Sequence, residues 1–220
     1  MTLGAGIVET RIDKLRTAIP AHMQWLPPDT PLYVFGNKET AAIQREFPCH
    51  FIELTVDLAP GKYFQALNHV MTREAFWNVF TEDRVLIFQH DSGILRHGIE
   101  EFYEWDYIGA PFGPAYPFVG NGGFSLRNPR AMAHICRELH HSPYLPEDVF
   151  LPTGCDMLGY KLAPITEAVK FSCEIHFILG TFGYHAIDRY LTPAQTQQIR
   201  TQYDTVTIPV PSAPVFKFQV

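Results

Sequence analysis

The part of this sequence best suited to chemistry directly follows four apolar residues at 85–88 and comprises Gln89, His90, Asp91 and Ser92. An unbroken apolar run predicts a central strand that is covered on both faces. Ligands bind at the carboxyl ends of such strands, so Asp91 is placed to hold a divalent cation together with diphosphate oxygens. An Asp after a strand also caps turns, and the pattern alone leaves both roles open.

A glycine-rich segment further along the chain, Gly120-Asn121-Gly122-Gly123, leads into Phe124. Glycines let the backbone approach another group closely, and the Asn121 amide can both donate and accept hydrogen bonds. The segment therefore suits a sugar ring or an acceptor. A flexible loop without a ligand is the simpler alternative.

An adjacent carboxylate pair, Glu147-Asp148, lies where a helix is expected to begin. A glycosyl transfer that inverts the anomeric centre needs one base to take the proton of the acceptor hydroxyl, and either carboxylate has the right chemistry. Capping of the helix N-terminus is the alternative, and for an isolated pair it is the better one. His185 is equally ambiguous, because most of the 10 histidines must be structural or exposed.

Two earlier predicted strands, at 4–8 and 32–35, also end in polar residues, which comprise Glu9, Thr10, Arg11 and Asn37. No strand is followed by a G-x-G-x-x-G fingerprint or a P-loop, so neither a dinucleotide fold nor a P-loop is supported. Another device must hold a phosphate, and a divalent cation is one solution.

The pattern that positions these residues is that of an α/β protein, because strands separated by helical stretches predict a parallel sheet flanked by helices. We expect strands at 4–8, 32–35, 51–54, 85–88, 107–110, 124–127 and 171–175, and a polar return at 180–185. We expect helices at 12–19, ending before Pro20, and at 39–47, 63–80 and 129–140, with another beginning near Pro146. A proline-rich loop at 111–117 and an extended tail after Thr207 complete the chain.

The composition is that of one globular domain: 220 residues, 46% hydrophobic and 18% charged, without a linker-like segment. A net charge of -6 gives no broad nucleic-acid-binding surface. The four cysteines form no CxxC pair, so we expect free thiols in a reducing compartment rather than structural zinc. With no secretory signal and no apolar run that could span a membrane, the expected localisation is cytoplasmic.

Several stretches together resemble a bacterial and viral family of glycosyltransferase-like proteins of unknown function. They lie at 8–11, 76–77, 85–92, 106–111, 120–127, 146–150 and 182–185. Each stretch is weak alone, but the ordered set is specific and covers most of the chain to about Tyr190. A more distant similarity is to fringe-like transferases, which share the order of an Asp motif, a Gly-Phe segment, an acidic pair and a late His.

This resemblance implies a single GT-A-like domain over 1–220. About 1–110 would bind the nucleotide sugar, about 111–190 would bind the acceptor and carry catalysis, and 191–220 would form a C-terminal arm. Asp91 and His185 would hold the metal, and Asp148, in preference to Glu147, would be the base. The residues that border the donor would be Val8, Glu9, Thr10, Arg11, Asn37, Gln89, His90 and Ser92. Arg11 or Arg73 would contact the diphosphate. The sugar or acceptor would be bordered by Asn121, Gly122, Gly123 and Phe124.

One position departs from the transferase pattern. The usual metal motif is Asp-x-Asp, and Gln89 stands in its first acidic position. A Mn²⁺ or Mg²⁺ site would then be filled largely by diphosphate and water, and a metal-independent variant is the alternative.

The expected function is transfer from a nucleoside-diphosphate sugar, with UDP favoured, to a hydroxyl of a glycan, lipid-linked sugar, protein or modified nucleic-acid base. A viral transferase acting on a modified base is a minority version of it. A non-catalytic sugar-nucleotide or glycan-binding module is the alternative from another class. A metal-dependent phosphoester hydrolase is disfavoured, because the chain offers too few candidate ligands.

Overall fold

A computed structural model describes residues 1–55, 63–112 and 119–201. Its strands are β1 (Leu3–Val8), β2 (Leu32–Gly36), β3 (His50–Glu53), β4 (Arg84–Phe88), β5 (Ser92–Ile94), β6 (Tyr107–Gly109), β7 (Phe124–Arg127), β8 (Ser172–Cys173) and β9 (Gly183–His185). Its α-helices are α1 (Ile12–Met23), α2 (Tyr63–Met71), α3 (Glu74–Trp77), α4 (Pro129–Glu138), α5 (Glu147–Leu158), α6 (Ile165–Phe171), α7 (Ile187–Tyr190) and α8 (Pro193–Thr201).

The central sheet has six strands in the order β3-β2-β1-β4-β7-β6. β1 pairs in parallel with both β2 and β4, and β2 pairs in parallel with β3. Only β7 runs against its neighbours, β4 and β6. The predicted α/β class with a mostly parallel central sheet is confirmed.

Helices cover both faces of this sheet. Alternate residues of β4 divide between two apolar cores, with Leu86 and Phe88 in one and Val85 and Ile87 in the other. None of the four is more than 3% exposed. The first core also contains residues of α1 and α6, and the second contains residues of α2 to α5. The apolar run at 85–88 is therefore the doubly covered central strand that the sequence predicts.

A second, smaller sheet has the order β5-β9-β8. β9 pairs antiparallel with β5 and parallel with β8, and this register places His185 opposite Ser92. The expected strand at 171–175 is shorter than predicted, and the expected polar return at 180–185 ends in a strand. The short sheet is hard to predict because each strand has only two or three residues.

Two helix predictions were wrong. Helix α1 continues through Pro20 to Met23. Pro20 is on the exposed side of the helix, whereas His22 is buried and stacks on Phe88 with ring centroids 4.3 Å apart, and this contact stabilises the last turn. The expected helix at 63–80 breaks after Met71, where the Thr72 hydroxyl donates to the Asn68 carbonyl at 2.7 Å. Such local side-chain bonds compete with continuation of a helix.

Other differences are smaller. The expected helix at 39–47 is a 3₁₀ helix, Thr40–Arg45, and α4 ends at Glu138. Most of the proline-rich loop and the tail after Thr207 lie outside the described residues. All four cysteines are free. No helix in the described ranges has the length and apolar character that crossing a membrane requires.

Helix α4 begins as the sequence predicts. Pro129 occupies its first turn, and the Asn128 side chain accepts hydrogen bonds from the backbone N–H of Arg130 and Ala131. The helix directly follows β7, and its buried residues lie in the second apolar core.

We expect Asn128→Ala to lower the free energy of unfolding by at least about 1 kcal/mol, because two backbone donors lose their acceptor and Asp106 Oδ1 loses the Asn128 amide as its donor at 2.8 Å. Chemical denaturation measures this loss. Asn128→Ser also loses the bond to Asp106 but keeps a capping oxygen, so its loss should be smaller than that of Asn128→Ala. Equal losses in the two variants would show that the cap contributes nothing.

Candidate active site at the carboxyl ends of β1 and β4

The carboxyl ends of the neighbouring strands β1 and β4 meet at one edge of the sheet. Glu9, which follows β1, lies 3.2 Å from His90, which follows β4 (Oε2 to Nδ1). Arg11 Nη2 lies 2.7 Å from Glu9 Oε2. Burial alone would raise the pKa of Glu9, but hydrogen bonds from His90 and Arg11 lower it to about 2. Glu9 is therefore ionised and holds Arg11 and His90 at the edge.

Asp91 and His185 come together in the same region. His185 Nε2 lies 3.4 Å from Asp91 Oδ1 and 3.2 Å from Gln89 Oε1. On the other side of the ring, Nδ1 lies 3.0 Å from Glu174 Oε1. Burial disfavours the charged ring, but the Asp91 and Glu174 carboxylates outweigh it and raise the pKa of His185 to about 9. Both ring nitrogens face oxygen acceptors, as an imidazolium requires.

Asp91 keeps one carboxylate oxygen buried without a formed hydrogen bond. Within the described chain, Oδ1 has no hydrogen-bond partner, although it faces His185. Burial alone would raise the pKa of Asp91, yet the close approach and positive charge of His185 hold it at about 2. Oδ1 thus faces the His185 ring at 3.4 Å without a short hydrogen bond, and a divalent cation could use this oxygen together with His185 only after the ring had lost its proton.

The glycine-rich loop is built onto this cluster. The Asn121 amide donates to the second oxygen of Glu174, and Asn121 Oδ1 accepts from the Gly123 N–H at 3.1 Å. Gly123 O in turn accepts from the Gln89 N–H at 2.9 Å. A Cβ on Gly123 would lie 2.1 to 2.6 Å from atoms of the His185 ring. Glycine is thus required because the backbone lies directly against the imidazole.

The acidic pair at the start of α5 has two different environments. Glu147 makes a bidentate ion pair with the fully buried Arg127, with Nη1 to Oε2 at 2.7 Å and Nη2 to Oε1 at 3.2 Å. The Arg127 guanidinium lies between the rings of Trp77 and Tyr107, at 5.4 and 4.7 Å from their centroids. Glu147 is therefore occupied by a structural contact.

Asp148 faces the glycine-rich loop instead. Its Oδ2 accepts from the Gly122 N–H at 3.2 Å. Burial and the neighbouring charge of Glu147 raise the pKa of Asp148 to about 7, although the Gly122 hydrogen bond and Arg127 act in the opposite direction. A carboxyl group with a pKa near neutrality suits a general base.

The remaining predicted residues have mostly structural contacts. Ser92 Oγ donates to Gln89 O at 2.6 Å, and Asn37 Oδ1 accepts from the Thr40 N–H at 3.0 Å, so both hold turns. The side chains of Val8 and Phe124 are buried in the apolar cores. Thr10 is partly exposed beside Glu9, and its N–H donates to Glu9 Oε1 at 2.9 Å. Arg73 contacts His69 at 3.4 Å and lines a groove between helices with His140 and Tyr144.

Sequence reasoning missed three residues of this region. Glu174 orients His185, Arg127 neutralises Glu147, and His22 Nε2 lies 2.9 Å from Ser92 Oγ beneath the turn that carries Asp91. A signal existed for Arg127 alone, since a charged residue in a strand next to a glycine-rich loop needs a buried partner. Glu174 lies far from Asp91 in sequence, and nothing local marks it.

A protein-only metal site would need more ligands than Asp91 and His185. No group of three or more His, Cys, Asp or Glu that could hold a metal ion occurs among residues 1–55, 63–112 and 119–201. Two ligands can hold a divalent cation only with diphosphate oxygens and water completing the shell.

Comparison with known structures defines the class of the fold. The crystal structure of mouse xyloside xylosyltransferase 1, in its apo form, superposes with a TM-score of 0.54 at 11% sequence identity, covering 88% of this chain and 100% of that one. The domain therefore has a GT-A-like fold, and at this identity the likeness concerns the fold alone.

The family model described as "Protein of unknown function (DUF5672)" matches residues 53–185, which is more than half of the chain. The protein belongs to this family. A comparison with curated proteins finds no match.

Replacing Gly123 with Ala should force the added methyl group into His185 and destabilise the fold by about 1–3 kcal/mol. A double-mutant cycle with His185→Ala tests the cause, because removal of the ring creates the space that the methyl group needs. We expect most of the Gly123→Ala cost to disappear in the His185→Ala background, as measured by denaturation. Additive losses would contradict the close approach.

The raised pKa of Asp148 predicts a pH-dependent contribution to stability. The folded state binds a proton that the unfolded state releases between pH 3.8 and about 7, so this contribution is lost as pH rises through that range. In Asp148→Asn this loss of stability with rising pH should be absent. Denaturation at a series of pH values, compared with the wild type, measures the difference.

Asp156→Asn is the matched control, because Asp156 is an exposed carboxylate of the same helix. Its curve should parallel that of the wild type. If Asp148→Asn also parallels the wild type, the pKa of Asp148 is ordinary.

Proposed function

We propose that this protein is a glycosyltransferase that moves a sugar from a nucleoside diphosphate, with UDP favoured, to a hydroxyl acceptor. One observation carries the proposal. The Gly122–Gly123 loop joins Asp91 and His185 on one side to Asp148, with its pKa of about 7, on the other. The GT-A-like fold is consistent with this use of the sheet edge.

In the proposed reaction, Asp148 takes the proton of the acceptor hydroxyl as its oxygen forms a bond to the anomeric carbon. The bond between that carbon and the diphosphate oxygen breaks, and the bonding electrons leave with the nucleoside diphosphate. Attack from the face opposite the leaving group inverts the anomeric centre. Arg11, held by Glu9, contributes positive charge on the nucleotide side.

Asp91 and His185 are the residues that would hold Mn²⁺ or Mg²⁺, and His185 would lose the proton on Nε2 to do so, because a ligating imidazole is neutral. The buried Asp91 Oδ1 fits this role, and Glu174 orients the opposite side of the His185 ring, as second-shell carboxylates commonly do. When bound, a divalent cation supplies charge neutralisation for the diphosphate.

The acceptor class is open to glycans, lipid-linked sugars, proteins and modified nucleic-acid bases. The structural neighbour is named for xylosyl transfer to a xyloside. UDP-xylose therefore belongs in the donor panel beside UDP-glucose, UDP-galactose and UDP-N-acetylglucosamine. We propose a cytoplasmic site of action on the basis of the sequence.

Release of UDP from this panel, with and without Mn²⁺, tests the proposal. For an active donor, kcat/KM should rise with pH around an apparent pKa of about 7, because ionised Asp148 is the active form. Asp148→Asn should lower the rate about 10²–10⁴-fold and remove this pH limb, whereas Asp156→Asn should change neither.

Asp91→Ala should weaken donor binding and abolish any stimulation by Mn²⁺. Full activity in both Asp148→Asn and Asp91→Ala would refute the assigned roles. Tight donor binding without turnover would instead favour a sugar-nucleotide-binding module. The presence of Gln89 in the first acidic position of the metal motif is consistent with such a module.

A further inference from the structure

Arg189 lies beside Asp91, although nothing in the sequence pattern marks it. Its Nη2 is 3.8 Å from Asp91 Oδ2, and its side chain is 55% exposed. This is a long ion pair at the surface, and such pairs contribute little to folding. The guanidinium is thus held next to the site while remaining accessible to a ligand.

An unusual backbone conformation brings Arg189 back to this position. Ala186 directly follows His185 and has a φ of 48°, in the left-handed region that residues with a side chain rarely adopt. The Ala186 N–H donates to Asp91 O at 3.0 Å, and the Arg189 N–H donates to Ala186 O at 2.9 Å. Both bonds fix the start of α7 over Asp91. Such strain persists where the surrounding structure requires it.

The charges along the sheet edge leave a role for a further cation. Glu9 is paired with Arg11, and Glu174 with His185. Gln89 occupies the position where the transferase motif has an acid, so the cation site has fewer anionic ligands than usual. A diphosphate bound here needs positive charge from another source.

The order of residues along the edge indicates which phosphate is involved. Arg11 contacts Glu9, which follows β1, and His90, whereas Arg189 lies at Asp91. Asp91 faces the His185 ring, and Gly123 packs against that ring. Arg189 is therefore linked through Asp91 and His185 to the loop assigned to the sugar, whereas the contacts of Arg11 are with Glu9 and His90.

We propose that Arg189 binds the terminal phosphate of the nucleoside diphosphate and shares the charge-neutralising role of the cation. This proposal rests on the proposed function. It assigns to Arg189 the contact with the diphosphate for which the sequence suggested Arg73. The guanidinium donates to the phosphate oxygens, and it stabilises the charge that develops there when the bond to the sugar breaks.

Calorimetry with the 220-residue chain tests this assignment. The probes are UDP, GDP, ADP, CDP and dTDP, each compared with its monophosphate, in EDTA and in Mn²⁺. For whichever diphosphate binds, Arg189→Ala should weaken binding about 10- to 100-fold in EDTA, the effect of losing a hydrogen bond to a charged group. Binding of the monophosphate should change less than about threefold, because it lacks the terminal phosphate. Arg189→Lys should restore part of the affinity.

Arg200→Ala is the matched control. Arg200 is a similarly exposed arginine that pairs with Asp188 at 3.0 Å rather than with Asp91, so its removal takes the same charge from the neighbouring surface. It should leave diphosphate affinity within about twofold of the wild type. Equal effects of the two variants, or an Arg189→Ala variant that binds the diphosphate normally, would overturn the assignment while leaving the proposed function intact. If no nucleoside diphosphate binds the wild-type protein, both proposals fail.

Discussion

The buried ion pair between Arg127 and Glu147 is the interaction on which the candidate site depends. It joins the last residue of β7 to the first residue of α5, and Arg127 also donates to Gly122 O at 3.2 Å and to Ser125 Oγ at 2.8 Å. Because a buried pair that loses one partner leaves an uncompensated charge, breaking it costs about 3–5 kcal/mol. The pair thus fixes the position of the glycine-rich loop relative to α5.

The same pair sets the chemistry of its neighbour. Glu147 is ion-paired with Arg127, and the neighbouring charge of Glu147 contributes to the raised pKa of Asp148. Two neighbouring carboxylic side chains therefore differ in environment, because Glu147 has a guanidinium partner whereas Asp148 has a backbone N–H.

The scaffold was predictable from the sequence, since its elements carry strong local signals. The apolar run at 85–88 predicts a doubly covered strand, and Asn128-Pro129 predicts the start of α4. For the candidate site, the sequence pattern indicates Asp91, His185, Asp148 and the glycines, and the structure places the glycine-rich loop against His185 and Asp148, with Asp91 beside His185. The pattern does not indicate Glu174 and Arg189, because they depend on the pairing of β9 with β5 and on the left-handed Ala186, and neither feature has a local signal.

The small β5-β9-β8 sheet also determines when the site can assemble. Asp91 directly precedes β5 and lies in the middle of the chain. Glu174 and His185 belong to a segment that is made about 80 to 95 residues later. Four strands of the central sheet, β1 to β4, precede that segment and pair without it. During synthesis, these four strands are therefore made while Asp91 still lacks its imidazole partner, and the candidate site is completed only when the late segment adds its strand.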